Sequence, residues 1–253
     1  MKYVKPINEF WGDVLKRDLL GETREEDKFH SKKELKEYLR SEIQKQGENV
    51  VIQNLDVSLL EDLSELFSGI CNGVKTLDLS GWKTSNAKDM NWMFWGCSSI
   101  ESLDVSGWDT SNVKDMKYMF YNCEGLKSID LTGWDVSSVK NMEGMFYYCM
   151  ELEAPDLSGW DTSNVENIGW IFSHCRKFKS LDLSGWDTFK VNSMIHAFYD
   201  CRSLKKLDLS GWDTSSVMDE TDMFAGCPAP YEIVDCEIVR KDNSTVQSQT
   251  PPA

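Results

Sequence analysis

The dipeptide Gly-Trp recurs at Gly81-Trp82, Gly107-Trp108, Gly133-Trp134, Gly159-Trp160, Gly185-Trp186 and Gly211-Trp212, always 26 residues apart. Phe94, Phe120, Phe146, Phe172, Phe198 and Phe224 keep the same spacing, and so do Cys97, Cys123, Cys149, Cys175, Cys201 and Cys227. A unit of this length cannot bury its own apolar face, so the chain is constrained to a stacked array with one continuous core. Six units fill residues 77–232. Upstream, Leu55-Asp56-Val57-Ser58 through Leu63, Leu66 and Phe67 forms half a unit without the Gly-Trp, and Phe67 is one residue out of register. Residues 51–76 therefore read as a degenerate capping repeat.

Within one unit, Leu103-Asp104-Val105-Ser106 alternates apolar and polar up to Gly107, the pattern of a short strand with one buried face. After Trp108 come Asp109-Thr110-Ser111-Asn112, residue types that cap helix starts. Val113, Met116, Met119, Phe120 and Cys123 follow at helical spacing. At about 100° per residue these five fall on one arc, which predicts a short helical turn packed on the strand layer.

The run Leu207-Asp208-Leu209-Ser210-Gly211-Trp212-Asp213-Thr214, with Val113 through Met119-Phe120 and Cys123, resembles the leucine-rich repeats of the BspA-like family, DUF285. The motif is specific and covers roughly 60% of the chain, six 26-residue units among 253 residues. The resemblance implies an α/β repeat fold: a right-handed leucine-rich-repeat solenoid with a parallel strand ladder on one side and short helical turns on the other. It also implies a bacterial surface or secreted protein that binds other proteins. Local departures are Pro155 for the strand leucine, Ile168 and Ile171 for methionines, Phe189-Lys190 for Ser-Asn, and Glu220. These mark the fourth and last units as places for distortion.

The flanks are read as caps. Ser31-Lys32-Lys33-Glu34 has capping-box spacing, Leu35, Tyr38, Leu39 and Ile43 form an apolar stripe, and Gly47 is a stop signal, which predicts a helix over 32–46. Phe10, Trp11, Val14 and Leu15 suggest a second helical segment, making residues 1–50 an α-helical N-terminal cap over the open end of the solenoid. At the other end, Tyr231, Ile233, Val234, Ile238 and Val239 suggest a terminal cap strand at 233–243, followed by a disordered tail at 244–253.

Charge narrows the partners. Lys plus Arg total 27 against 42 Asp plus Glu, for a net charge of -15. Residues 1–50 are balanced, so the whole excess lies in the repeat region and beyond. That argues against direct contact with nucleic acid or an anionic membrane, and for another protein with a basic surface. The opening Met1-Lys2-Tyr3-Val4-Lys5-Pro6 has no signal-peptide apolar run, so a cytoplasmic location is expected, with cell-surface or secreted as the alternative. Oligomeric state is left open.

Catalysis is not expected. The three histidines, His30, His174 and His196, sit in no nucleophile or metal-ligand motif, and no Gly-rich phosphate loop follows a strand. His174 beside Cys175 invites a dyad reading, yet Cys175 belongs to the periodic core set, where cysteine serves as a small hydrophobe. The six periodic cysteines read as a reduced thiol ladder, and the chain lacks the Cys-x-x-Cys pairs that zinc would need. No cofactor or metal is implied.

Two stripes are candidates for binding. Trp92, Trp95, Tyr118, Tyr121, Tyr147, Trp170 and Tyr199 flank the Met-Phe pairs, and on a helical turn Tyr118 and Tyr121 would point away from the core arc, into solvent. The alternative is that the turns depart from 100° and the rings pack between rungs as part of the wall. Asp78, Asp104, Asp130, Asp156, Asp182 and Asp208 occupy the outward strand position. Carboxylates stacked at about 5 Å repel by close to 1 kcal/mol even in water, so donors in the adjacent turn, or a basic ligand or cations, must offset them. Asp109, Asp135, Asp161, Asp187 and Asp213 are read as turn organisers. The expected function is non-catalytic protein binding, in its sharper form an acidic inhibitor or regulator of a basic nucleic-acid-handling protein. The alternative is a BspA-like adhesin.

Overall fold

A computed structural model describes residues 28–228 and the backbone of 232–234. The expected segment around Phe10 to Leu15, the remainder of the cap strand beyond Val234 and the tail at 244–253 lie outside the described residues.

Helix α1 spans Lys32–Gln46. Ser31 caps it by accepting the Glu34 N–H at 3.2 Å, and the Glu34 carboxylate accepts the His30 N–H at 3.1 Å, so two otherwise orphaned donors are satisfied reciprocally. Gly47, at φ 75°, ends it and donates to the Ile43 carbonyl. The buried face is Leu35, Tyr38, Leu39 and Ile43, which joins the solenoid core. Lys32 Nζ then ties the helix to Asp62 at 2.6 Å and Ser64 at 2.8 Å, and Lys36 Nζ to the Glu65 carbonyl.

Among the described residues six three-residue strands follow: β1 Asn49–Val51, β2 Thr76–Asp78, β3 Ser102–Asp104, β4 Ser180–Asp182, β5 Lys206–Asp208 and β6 Glu232–Val234. They pair in parallel as β1-β2-β3 and β4-β5-β6. The register is that of the repeat: Leu77 faces Leu103, and Leu207 faces Leu181 and Ile233. A short strand per turn, paired in parallel with the next turn, is a leucine-rich-repeat-like fold. The first unit holds one extra residue, since Asn49 pairs with Thr76 and Asp62 with Asp89. The insertion lies at Ile70-Cys71: the Val74 N–H bonds the Cys71 carbonyl as Ile100 does that of Cys97, back on the 26-residue period.

The expected ladder is not continuous. Between β3 and β4 only a Ser102–Ser128 bridge continues it. Pro155 is buried at the strand-leucine position and has no N–H to give a neighbouring rung. A second ladder compensates, running unbroken through Asp62, Asp89, Asp115, Asn141, Asn167, Ser193 and Asp219.

The expected helical turns are a correction. Residues 116–123 form linked tight turns instead of a helix. Met116, Tyr118, Phe120 and Asn122 donate their N–H groups to Asn141, Glu143, Met145 and Tyr147 on the next rung, at 2.7–2.9 Å. Met119, Tyr121 and Cys123 donate to the carbonyl three residues back. An α-helix would consume all of these donors internally and leave none to join the rungs. Tyr118 and Asn122 have φ 53° and 61°, the left-handed value that the third position of a type II turn requires. The five apolar positions are nevertheless all buried, because the tight turns also aim them inward.

Two aromatic columns fill the interior. Phe67, Phe94, Phe120, Phe146, Phe172, Phe198 and Phe224 stack with centroids 5.0–5.8 Å apart. The tryptophans stack as Trp82–Trp108–Trp134 and as Trp160–Trp186–Trp212. Trp108 donates its indole N–H to the Leu79 carbonyl at 2.9 Å, as Trp212 does to Leu183, whereas the Trp134 and Trp160 indole nitrogens have no partner among the described residues. Both of these lie where the strand ladder lapses. The lapse of the strand ladder thus coincides with a change inside the core.

Candidate functional site

The aromatic stripe forms one chain of ring contacts. Trp92 meets Tyr118 at 4.4 Å and Trp95 edge-on at 5.4 Å; Tyr121 stacks on Tyr147 at 4.9 Å, and Tyr147 meets Trp170 at 5.3 Å. Three residues that sequence reasoning missed complete it: Tyr148 stacks on His174 at 4.2 Å, His174 meets Tyr199 at 5.4 Å, and His196 lies 4.0 Å from Trp170. Their signal was present in the 26-residue register, but only the tight turns bring them beside the stripe.

The rings do not all project into solvent. Trp92, Tyr118, Tyr121, Tyr147, Trp170 and Tyr199 are half-buried against one another, and Trp95 is the exposed one, at 43%. The angular reading from an α-helix fails because there is no helix, and the alternative of packing between rungs describes six of the seven. The backbone underneath is unusual. Trp92, Tyr118, Trp170 and His196 have φ between 52° and 60°, a conformation bulky residues seldom adopt, and Gly144 holds the equivalent place at 60°. A Cβ on Gly144 would fall 2.1 Å from the Tyr118 ring, so Tyr118 leans into the space its neighbour leaves. Tyr118 then donates to Glu143 Oε1 at 2.7 Å, while Lys117 and Asn167 hold Oε2. Burial raises the Tyr118 phenol above its ordinary value and pushes Tyr147 up to about 12, so both remain hydrogen-bond donors at neutral pH.

Each aspartate of the acidic ladder is folded into its own turn. Asp78, Asp104, Asp130, Asp156, Asp182 and Asp208 accept the N–H of the residue two positions on, at 2.9–3.1 Å. Thr132, Ser158 and Ser184 add a hydroxyl at 2.7–2.8 Å. These donors hold the carboxyls of Asp130, Asp156 and Asp182 below the usual range, and Asp78 is lowered against its partial burial by Ser80 and Gln53. This supplies the structural offset to the expected repulsion. Asp109, Asp135, Asp161, Asp187 and Asp213 organise a second corner in the same way, each accepting an N–H at 2.8–3.1 Å.

The thiols also face inward. Cys123, Cys149, Cys175, Cys201 and Cys227 donate to the phenylalanine carbonyl of the preceding rung at 3.1–3.3 Å, and Cys71 adds a seventh member to the column. Burial raises the Cys123, Cys149 and Cys175 thiols well above the ordinary value, the reverse of what a nucleophile needs. His174 Nδ1 is turned to Asp200 Oδ2 at 2.9 Å while Cys175 Sγ bonds Phe146, so adjacent residues serve opposite sides of the wall. Among the described residues no group of three metal-ligating side chains is gathered, and no helix is long and apolar enough to cross a membrane.

Residues 35–129 and 123–234 match the family model described as "Mycoplasma protein of unknown function, DUF285". The chain belongs to this family. The two DUF285 matches run from α1 to β6 and overlap by part of one turn. No curated protein matches. Among solved structures, the chain is similar to the protein of a "TLR13-ssRNA13 complex" at 17% identity, over 74% of this chain and 31% of that one, with a TM-score of 0.32. A leucine-rich-repeat protein of Leptospira interrogans is 15% identical over 66% of this chain and 56% of that one, with a TM-score of 0.26. An internalin (inlF) of Listeria monocytogenes str. 4b F2365 is 13% identical over 91% and 97%, with a TM-score of 0.19. This DUF285 chain thus spans about a third of the first structure and just over half of the second.

Proposed function

We propose that this DUF285 protein is a non-catalytic, protein-binding solenoid whose recognition surface is the aromatic shelf from Trp92 to Tyr199. The observation that carries the reading is the unbroken chain of ring contacts with Trp95 exposed at its end. Aromatic side chains join apolar area to a polar handle and are enriched at interfaces. The left-handed backbone under Trp92, Tyr118 and Trp170 supports the same reading, since a glycine serves that position at Gly144 without strain. The bulky residues are held there by stacking, and their outer edges form a firm, preorganised strip.

The same proposal takes the partner to be a protein with a basic surface, drawn by the net charge of -15 and by Asp104, Asp130, Asp156 and Asp182, which keep one oxygen free after their turn bonds. A cytoplasmic regulator of a basic nucleic-acid-handling protein is its sharper form, and a BspA-like adhesin with a right-handed solenoid capped by α1 is its surface-exposed counterpart.

Trp95→Ala tests the shelf. Capture from lysate and from surface extracts of the native cell is run with wild type, Trp95→Ala and Asp104→Lys/Asp130→Lys. A basic protein retained by wild type, and lost with Trp95→Ala while circular dichroism is unchanged, supports the reading. Retention undiminished by both variants would refute it. The compartment in which that partner is found decides between regulator and adhesin.

A further inference from the structure

The stretch from each cysteine to the strand aspartate changes the sign of its charge part-way along the array. Residues 97–104, 123–130 and 149–156 carry −2, −1 and −3, whereas 175–182 and 201–208 carry +2 each. The structure stacks these stretches into one strip. Lys127 donates its N–H to the Glu101 carbonyl, Glu153 to Lys127 and Lys205 to Lys179, so the side chains form columns. In the first half of the strip opposite charges alternate and pair, as Lys75 with Glu48 and Lys127 with Glu101.

In the second half Lys177 pairs with Glu151 at 3.3 Å, and three lysines are left over. Lys179, Lys205 and Lys206 are exposed, sit on adjacent rungs and make no ion pair among the described residues. Like charges on neighbouring strands are unfavourable, and nothing in the repeat requires them here. Beside them Asp200, only 7% exposed, grips Arg176 through Nε at 3.0 Å and Nη2 at 2.7 Å, and Arg202 through Nε at 2.7 Å. One carboxylate orients two guanidiniums without neutralising both. In a chain of net charge -15, this is a preorganised basic patch one rung away from an acidic one.

We propose that the chain pairs with a second copy of itself, antiparallel about a two-fold axis between residues 149–156 and 175–182. The basic rungs 175–206 of each copy then lie on the acidic rungs 123–156 of the other. The strips are matched in spacing, because both rise by one inter-strand distance, about 4.8 Å, per rung. Such an interface is isologous and closes at the dimer, whereas parallel pairing would set like on like. The proposal does not depend on the aromatic-shelf reading.

The test is charge exchange in the full chain, read by sedimentation velocity over a concentration series. Salt is a poor probe, because it screens both the local attraction and the repulsion between two acidic copies. Lys179→Glu/Lys205→Glu cancels the charge of both basic rungs, from +2 to 0 each, and Glu151→Lys/Glu153→Lys turns 149–156 from −3 to +1; all four positions are exposed, and circular dichroism checks the fold. The wild type is expected to dimerise, each double variant alone to weaken dimerisation by at least about tenfold, and an equimolar mixture of the two variants to recover part of it as heterodimer, since one of the two acidic-on-basic contacts is kept. Dimerisation that survives in both variants, or a mixture that stays monomeric, overturns the proposal. So does a monomeric wild type that binds poly-L-glutamate through Lys179 and Lys205, which would assign the patch to an external acidic partner.

Discussion

Phe146→Ala removes a ring from the middle of the phenylalanine column and tests the claim that inter-rung stacking on a rigid backbone holds this fold. Phe146 is fully buried, stacked 5.5 Å from Phe120 at 14° and 5.8 Å from Phe172 at 9°. Phe→Ala at a buried site costs about 3–5 kcal/mol, and the two lost ring pairs, at about 0.5–1.5 kcal/mol each, are part of that sum. Where in the range this site falls depends on collapse. The Phe120 N–H bonds the Met145 carbonyl at 2.9 Å and the Phe146 N–H bonds Ile171 at 2.9 Å, so neighbouring rungs cannot close on the void. We expect a loss of about 4 kcal/mol in urea denaturation followed by circular dichroism. The adjacent Tyr147→Ala, half-buried on the shelf, should lose about 1–2 kcal/mol. Because repeats couple to their neighbours, hydrogen exchange should accelerate first at the Phe120, Phe146 and Phe172 amides. A loss under about 2 kcal/mol at Phe146, or one no larger than at Tyr147, would refute the reasoning.

Three further predictions follow from the side-chain geometry. The Asp130, Asp156 and Asp182 carboxyls are held below their ordinary value by Ser and Thr donors, so the stability they contribute is complete above the unfolded pKa of about 3.9 and is lost as pH falls through their lower folded values; Ser158→Ala should move the Asp156 carboxyl upward in an NMR titration and leave Asp182 in place. Asp89 shifts the opposite way, raised by burial and by Asp115 and Asp62, so its ionisation weakens the fold as pH rises and Asp89→Asn should reduce stability less at pH 7 than at pH 3, as measured by urea midpoints. Asp200→Ala strands His174, Arg176 and Arg202 and should cost about 2–3 kcal/mol, checked by thermal melting against Arg202→Ala, which removes only the most exposed of the three partners and should lower the melting temperature less.

Much of the architecture was legible because the period repeats every cue. Buried positions such as Val113, Met116, Met119, Phe120 and Cys123 followed from 26-residue spacing, as did the strand register of Leu77, Leu103, Leu181 and Leu207. Pro155 announced the weak point of the strand ladder, since the missing N–H is a property of the residue itself. The donors that offset the aspartate column were foreseeable too, because Asp followed two residues later by Ser or Thr forms a local turn. The aromatic stripe was legible as residues but not as geometry, and Tyr148, His174 and His196 were missed because their neighbours lie a full repeat away.

The amino-acid sequence by itself determined the repeat, its core positions and its corner chemistry, since these depend on residue type and on separations of a few residues. What only the tertiary structure decided was the path between corners. The spacing from Val113 to Cys123 suits an α-helix and a run of tight turns equally well, and the choice rests on whether Met116, Tyr118, Phe120 and Asn122 bond within their own turn or to carbonyls 25 residues further on. Stacked rungs offer those carbonyls all along the array, and a single unit has none to offer. The same stacking turns scattered lysines and arginines near Cys175 and Cys201 into one basic patch, because charges a repeat apart in the chain become neighbours about 4.8 Å apart in space.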